Sequence, residues 1–119
     1  MKLSLALPAF LLPLLAACSD ITLPVAVIGP KGDIYRGTTT AHMTGEGTFE
    51  ASRGNVRCAG TYDAMSTSIT ISFPVQCSNG LKGIGTSVRE ASGLGGSGNI
   101  RMSDGTDWRF VFGRAAAAF

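Results

Sequence analysis

Few side chains in this sequence suit bond-making chemistry, and their spacing narrows what they can do. His42 is the one histidine. As a catalytic base it would need a carboxylate to orient its ring and a hydroxyl to deprotonate. No Gly-x-Ser-x-Gly turn precedes a helix, and the neighbours Thr40, Thr44 and Thr48 read as a strand surface. A hydrolase would therefore require a cleft joining His42 to an acid and a hydroxyl. The expectation is instead a solvated or satisfied histidine. His42, Met43, Met65 and Met102 are soft donors, but they form no Met-rich cluster for copper. Asp104 and Asp107 flank a turn, where Asp is common, whereas sugar hydrolysis needs two acids across a cleft. The most conspicuous stretch is Ser92-Gly93-Leu94-Gly95-Gly96-Ser97-Gly98. A phosphate cradle would lead into a helix N-terminus. This stretch leads instead into Asn99-Ile100-Arg101-Met102, a strand pattern. Residues 92–98 are expected to form a mobile loop between strands, suited to insertion into a partner's cleft. No catalytic residue, metal site or cofactor is expected.

The cysteines carry more information. Met1 and Lys2 precede an almost wholly apolar run from Leu3 to Ala17, interrupted by Pro8 and Pro13. A membrane-spanning helix needs roughly twenty apolar residues, so this run is too short. Its length, its flanks and its small-residue end fit a secretory signal peptide. Leu15-Ala16-Ala17-Cys18 resembles the lipobox of bacterial lipoproteins. That resemblance implies lipid attachment to the Cys18 thiol, cleavage just before it, and residues 1–17 as the leader. It also implies the membrane as a partner through the N-terminal lipid. In such lipoproteins an Asp directly after the modified Cys favours the inner membrane; here Ser19 holds that place and Asp20 comes next. The resemblance thus implies the outer membrane, with the domain facing the periplasm. Setting Cys18 aside leaves Cys58 and Cys77, an even remainder in an oxidising compartment, which reads as a disulfide. Their spacing is not Cys-x-x-Cys, and no second Cys or His pair completes a zinc site.

These residues must be positioned by a lean domain. The chain has 119 residues, with 10 Lys and Arg against 8 Asp and Glu. That balance is too even for a nucleic-acid binder, which needs a basic excess. The length excludes a two-domain cofactor enzyme. All 16 Gly lie after residue 17, which argues against a helix bundle. Seven arginines, Arg36, Arg53, Arg57, Arg89, Arg101, Arg109 and Arg114, read as solvated strand faces.

The mature region alternates with period two. Ile69, Ile71, Phe73, Val75 and Cys77 share one parity, and Trp108, Phe110 and Phe112 share another run. Turn chemistry stands at Pro30–Asp33, Arg53–Asn55, Asn79-Gly80 and Asp104-Gly105. The pattern predicts strands near 24–29, 33–43, 46–52, 55–63, 67–76, 81–90, 97–103 and 106–113. They would form one all-β domain, 24–114, a small antiparallel barrel or sandwich of about eight strands built from hairpins. Residues 18–23 read as a lipidated tether and 115–119 as a tail. The expected core is Phe49, Ile69, Ile71, Phe73, Ile100, Trp108, Phe110 and Phe112. Gly37, Gly60 and Gly83 recur at intervals of 23, which hairpins of similar length with glycine bulges would produce. Tyr35-x-Gly37 followed by Gly45-x-Gly47-x-Phe49 is similar to a MORN repeat, a β-hairpin module. The functional expectation is a lipid-anchored, non-enzymatic envelope protein with a structural or interaction role and an envelope protein partner. The alternative is an inhibitor of a periplasmic enzyme such as a lysozyme, whose known lipoprotein inhibitors are similar in plan, with residues 92–98 inserting.

Overall fold

The computed structural model describes residues 19–119. The leader and Cys18 lie outside the described residues. Eight strands succeed one another: β1 (Ile21–Ile28), β2 (Ile34–Ala41), β3 (Glu46–Arg53), β4 (Val56–Asp63), β5 (Thr70–Cys77), β6 (Lys82–Arg89), β7 (Gly95–Met102) and β8 (Asp107–Gly113). Each pairs antiparallel with the next, and β1 also pairs with β8 from Val25↔Phe112 to Ile28↔Arg109. That last pairing closes a barrel and excludes a sandwich.

Alternation decides which side chains turn inward. Val25 and Val27, Phe73 and Val75, Ile100 and Met102, and Trp108 and Phe110 are all buried. Their strand neighbours, such as Ser72, Pro74, Arg101 and Arg109, are exposed. The four turn signals all fall at one end. There the turns are tight: Gly80 N–H donates to the Cys77 carbonyl at 3.0 Å, and Leu81 N–H to Asn79 Oδ1 at 3.1 Å. The other end carries the β2–β3 turn, the β4–β5 loop 64–69, the β6–β7 turn, the start of β1 and the end of β8.

The inner layer is unevenly filled. At the end with the four tight turns, Tyr35 and Trp108 stack with ring centroids 5.2 Å apart, and Phe73 meets Phe49 and Phe110 edge-on at 5.2 and 5.7 Å. Trp108 keeps its indole N–H satisfied on Thr106 Oγ1 at 3.0 Å. Cys58 and Cys77 form a disulfide in this half, with Cα atoms 3.9 Å apart. They face each other across the β4–β5 seam, whose ladder consists of Cys58↔Cys77 and Ala59↔Gln76 alone. Beyond that point β4 and β5 part toward the 64–69 loop.

Five inward glycines are paired directly with aromatics on an adjacent strand: Gly47 with Tyr62, Gly60 with Phe49, Gly85 with Phe73, Gly96 with Phe112 and Gly98 with Phe110. The missing side chain makes room for a ring lying over the backbone, which lets strands curve tightly in a small barrel. The glycines expected at bulges, Gly37, Gly60 and Gly83, sit instead in unbroken registers: Gly60 makes room for the Phe49 ring, Gly37 for the Glu50–Ala51 backbone, and Gly83 for the Arg101 carbonyl and the Met102 side chain.

Several boundaries differ from those expected from sequence. The tether expected at 18–23 is shorter, since Ile21, Thr22 and Leu23 pair with Ala41, Thr40 and Thr39. The expected loop 92–98 is shorter too: Gly95, Gly96, Ser97 and Gly98 pair with β8 and belong to β7, leaving Ser92, Gly93 and Leu94 in the turn. Gly-rich sequence hides a strand here because its outward and inward sides are both small. Ile69 is 69% exposed; it precedes β5 and stands beyond the wall that would cover it. The expected tail coils into a 3-10 turn, Arg114–Ala118, against the outside of β1. Ala116 is buried there, and so is Ala26, which faces outward from β1. The Arg36 guanidinium holds the Phe119 carbonyl.

Candidate functional site: the interior cavity

The half of the barrel away from the tight turns is not filled. A cavity of about 300 Å³ remains there. Its walls include Leu23, Ala41, Ile71, Phe49 and Phe112, and its floor is formed by Phe73, Phe110 and Ile100. Ile21, Ala64, Arg89, Ser92 and Leu94 stand at the mouth. The mouth therefore lies at the end where the chain enters β1. The volume is at the lower edge of ordinary ligand pockets, and a mainly apolar wall with few polar groups is their usual character. Eight-stranded barrels have room either for side chains or for one small ligand; this one divides its interior between the two.

Thr39 and Tyr62, two of the polar groups on the wall, satisfy each other. Thr39 is buried and its hydroxyl donates to the Thr48 carbonyl at 3.2 Å. The Tyr62 hydroxyl, 2.6 Å from Thr39 Oγ1, then supplies the proton of that contact. Neither is left to draw in water. Among the described residues, Arg89 is the one charged side chain on the wall. Its sequence context reads as one more solvated strand face, and the structure corrects this. It has the inward parity of Gly83, Gly85 and Ser87, and its position at the last residue of β6 puts it at the mouth. Only the closure of the barrel, which fixes inside and outside for every strand, separates it from the other arginines.

Around the mouth stand six exposed apolar side chains: Ile21, Met43, Met65, Ile69, Val88 and Leu94. Scattered exposed apolar residues are ordinary; here they gather on one rim.

The structure also brings together three residues that the sequence separates. His42 Nδ1 lies 3.0 Å from Asp20 Oδ2, and His42 Nε2 lies 3.0 Å from Thr48 Oγ1. The second carboxylate oxygen, Asp20 Oδ1, accepts the Met43 N–H at 2.8 Å. That backbone bond, followed by the histidine, holds the Asp20 carboxyl below the usual carboxylate range. The order acid, imidazole, hydroxyl is that of a catalytic triad. Thr48, however, is an outward residue in mid-strand, paired with Thr40 and Thr61 on its two sides. Its surroundings offer ladder-bound amides, not free donors aimed at one point, as a developing oxyanion requires. The cavity wall includes none of the three. Their evident effect is to clasp the start of β1 to the β2–β3 turn. No group of three or more His, Cys, Asp or Glu able to hold a metal occurs among the described residues.

The fold and cavity define an up-and-down antiparallel barrel with an open apolar interior. No family model matches the sequence, and no curated protein matches it. Two solved structures share the architecture. One is a de novo designed fluorescence-activating beta barrel, 23% identical, with a TM-score of 0.58, aligned over 83% of this chain and 95% of its own. The other is a redesigned beta barrel, 15% identical, with a TM-score of 0.59 over 83% and 93%. At these identities the likeness concerns the fold.

Proposed function

We propose that this chain is a lipid-anchored binding module of the bacterial envelope, held at the outer membrane and facing the periplasm, whose barrel takes up a slender apolar molecule and catalyses no reaction. The observation that carries this reading is the unfilled apolar half of the barrel, open at the end where β1 begins. Cys18, the lipobox cysteine, stands three residues before Ile21, which lines the mouth. A lipid on Cys18 would therefore bring the mouth, and not the tightly turned end, to the membrane. The six apolar rim residues support that orientation, since apolar surface close to a bilayer adds to the hold of an acyl chain. The non-enzymatic reading rests on the outward, ladder-bound setting of Thr48.

The test has two parts. Palmitate labelling in cells should be lost in Cys18→Ala; unchanged labelling removes the anchor. The purified Cys18→Ala chain should bind N-phenyl-1-naphthylamine, a neutral fluorophore, saturably and with one site per chain. Ala41→Phe fills the cavity wall and should weaken that binding at least tenfold while the circular dichroism spectrum stays the same. Absence of saturable binding removes the cavity reading.

A further inference from the structure

Arg89 stands out for where it is and how it is held. It is half-buried, points inward at the last residue of β6, and is the one charged side chain among the described residues lining the cavity. Its Nη2 group donates to two backbone carbonyls of the β4–β5 loop, Ser66 at 2.7 Å and Ser68. This fixes the guanidinium across the mouth. Its Nη1 and Nε hydrogens meet no acceptor among the described residues. No carboxylate lies within ion-pair distance of it there either, although Arg53, Arg57 and Arg101 all have acidic partners. Asp63 and Glu90 share the rim but are exposed and directed elsewhere: Asp63 caps the Met65 N–H at 2.9 Å, and Glu90 lies against Gly95.

We infer that the cavity takes a single-chain amphiphile with a monoanionic head, a fatty-acid-type carboxylate, with its chain on the apolar wall and its carboxylate on the free Nη1 group of Arg89. This rests on the cavity reading above and adds the class of ligand. Both bidentate forks of a guanidinium include Nη2, which the two loop carbonyls occupy, so the carboxylate is received by the free Nη1 hydrogens in a charge-assisted contact. A single guanidinium, with no second cation among the described wall residues, matches one negative charge. With Thr39 and Tyr62 satisfied by each other, the polar group left deeper than Arg89 is the neutral Ser87 hydroxyl, which brings no countercharge for a carboxylate. A neutral ligand of the same shape would leave Arg89 unpaired at the mouth.

The experiment compares cis-parinaric acid with its methyl ester, by fluorescence titration of the full chain carrying Cys18→Ala. The acid should bind roughly ten- to a hundredfold tighter than the ester, the range expected of a charge-assisted pair. Arg89→Gln should abolish that preference and leave ester affinity within about twofold. Arg89→Lys, which keeps the charge, should retain part of it. Equal affinity for acid and ester in the parent overturns the inference but leaves the cavity reading standing. An acid preference that survives Arg89→Gln overturns it as well. So does an equal loss of acid and ester binding in Arg89→Gln, which would make Arg89 a prop for the 64–69 loop. Failure of acid, ester and the naphthylamine alike overturns both readings.

Discussion

The pairing of inward glycines with rings makes a demand on the barrel that two mutant cycles can separate. At Gly98 an added methyl would fall deep inside the van der Waals radius of the Thr86 carbonyl oxygen and 2.7 Å from the Phe110 ring. Thr86 is registered opposite Asn99 in the β6–β7 ladder, so its carbonyl yields only if the ladder yields. At Gly85 the nearest atoms are carbons of the Phe73 ring, one of them 2.5 Å away, with no backbone atom among the three nearest. That ring is hemmed in by Phe49 and Phe110, so it retreats at a cost, but it is a side chain. Overpacking a filled core costs about 1–3 kcal/mol, and a backbone clash belongs at or above the upper end. Gly98→Ala should therefore destabilise by about 3 kcal/mol and Gly85→Ala by about 2 kcal/mol. Trimming Phe73 to Leu removes the obstructing atoms. The double variant Gly85→Ala with Phe73→Leu should cost at least about 1 kcal/mol less than the sum of its parts. Gly98→Ala with Phe110→Leu should show a coupling below about 0.5 kcal/mol, because the Thr86 carbonyl remains. Urea unfolding followed by the fluorescence of buried Trp108 measures all six variants. Equal couplings in the two cycles, or a Gly98→Ala variant within about 0.5 kcal/mol of the parent, would refute the reasoning.

The disulfide and two carboxylates carry further expectations. Replacing Cys58 and Cys77 by Ser frees a loop with a sequence separation of 19, which loop-closure entropy values at about 3 kcal/mol; the urea midpoint should fall by about 2 M, with amide exchange rising first along β5, and a shift under about 0.5 M would show that the two-pair seam holds without the bridge. Asp20, bound by the Met43 N–H and His42, and Asp104, bound by the Thr106 hydroxyl and N–H, both have carboxyls lowered below the usual range. A lowered folded-state value means stability present above the unfolded value, about pH 4, and lost as pH falls through the folded one. Thermal midpoints measured from pH 5 to pH 2 should thus decline less in Asp20→Asn and in Asp104→Asn than in the parent, and identical slopes would contradict the assignment.

The all-β class, the number of strands, the four turns at one end and the Cys58–Cys77 bridge are legible in the sequence, because each rests on local pattern or on cysteine arithmetic. Barrel closure is not, since it depends on β1 meeting β8, a pairing between the two ends of the domain. The start of β7 reads as loop because glycines carry no alternating signal; their partners, Phe110 and Phe112, hold the signal on another strand. The His42 contacts with Asp20 and Thr48 are also out of reach. They join β1's entry to the β2–β3 turn, and the spacing of 22 residues between Asp20 and His42 matches no local motif.

The cavity escapes sequence reading for a more general reason. Alternation tells which residues face inward but not at what height along the barrel axis they meet. Height is set by register across all eight strands. In this chain Tyr35, Met102 and Trp108 lie toward the tightly turned end, Phe73, Ile100 and Phe110 cross the middle, and the open half sets Thr39, Ala41, Ala64 and Ser87 among Leu23, Ile71, Tyr62 and Phe112. The small residues among these walls are what keep the open half from filling. One half thus holds the Tyr35–Trp108 ring pair and the disulfide, and the other holds the space. The stable half is the one remote from Ile21, and the open half is the one carrying the apolar rim, the Asp20–His42 clasp and the entry of the chain. A packing fault would have no reason to coincide with all three. The coincidence is what a binding barrel needs if its ligand arrives from a surface that faces the start of β1.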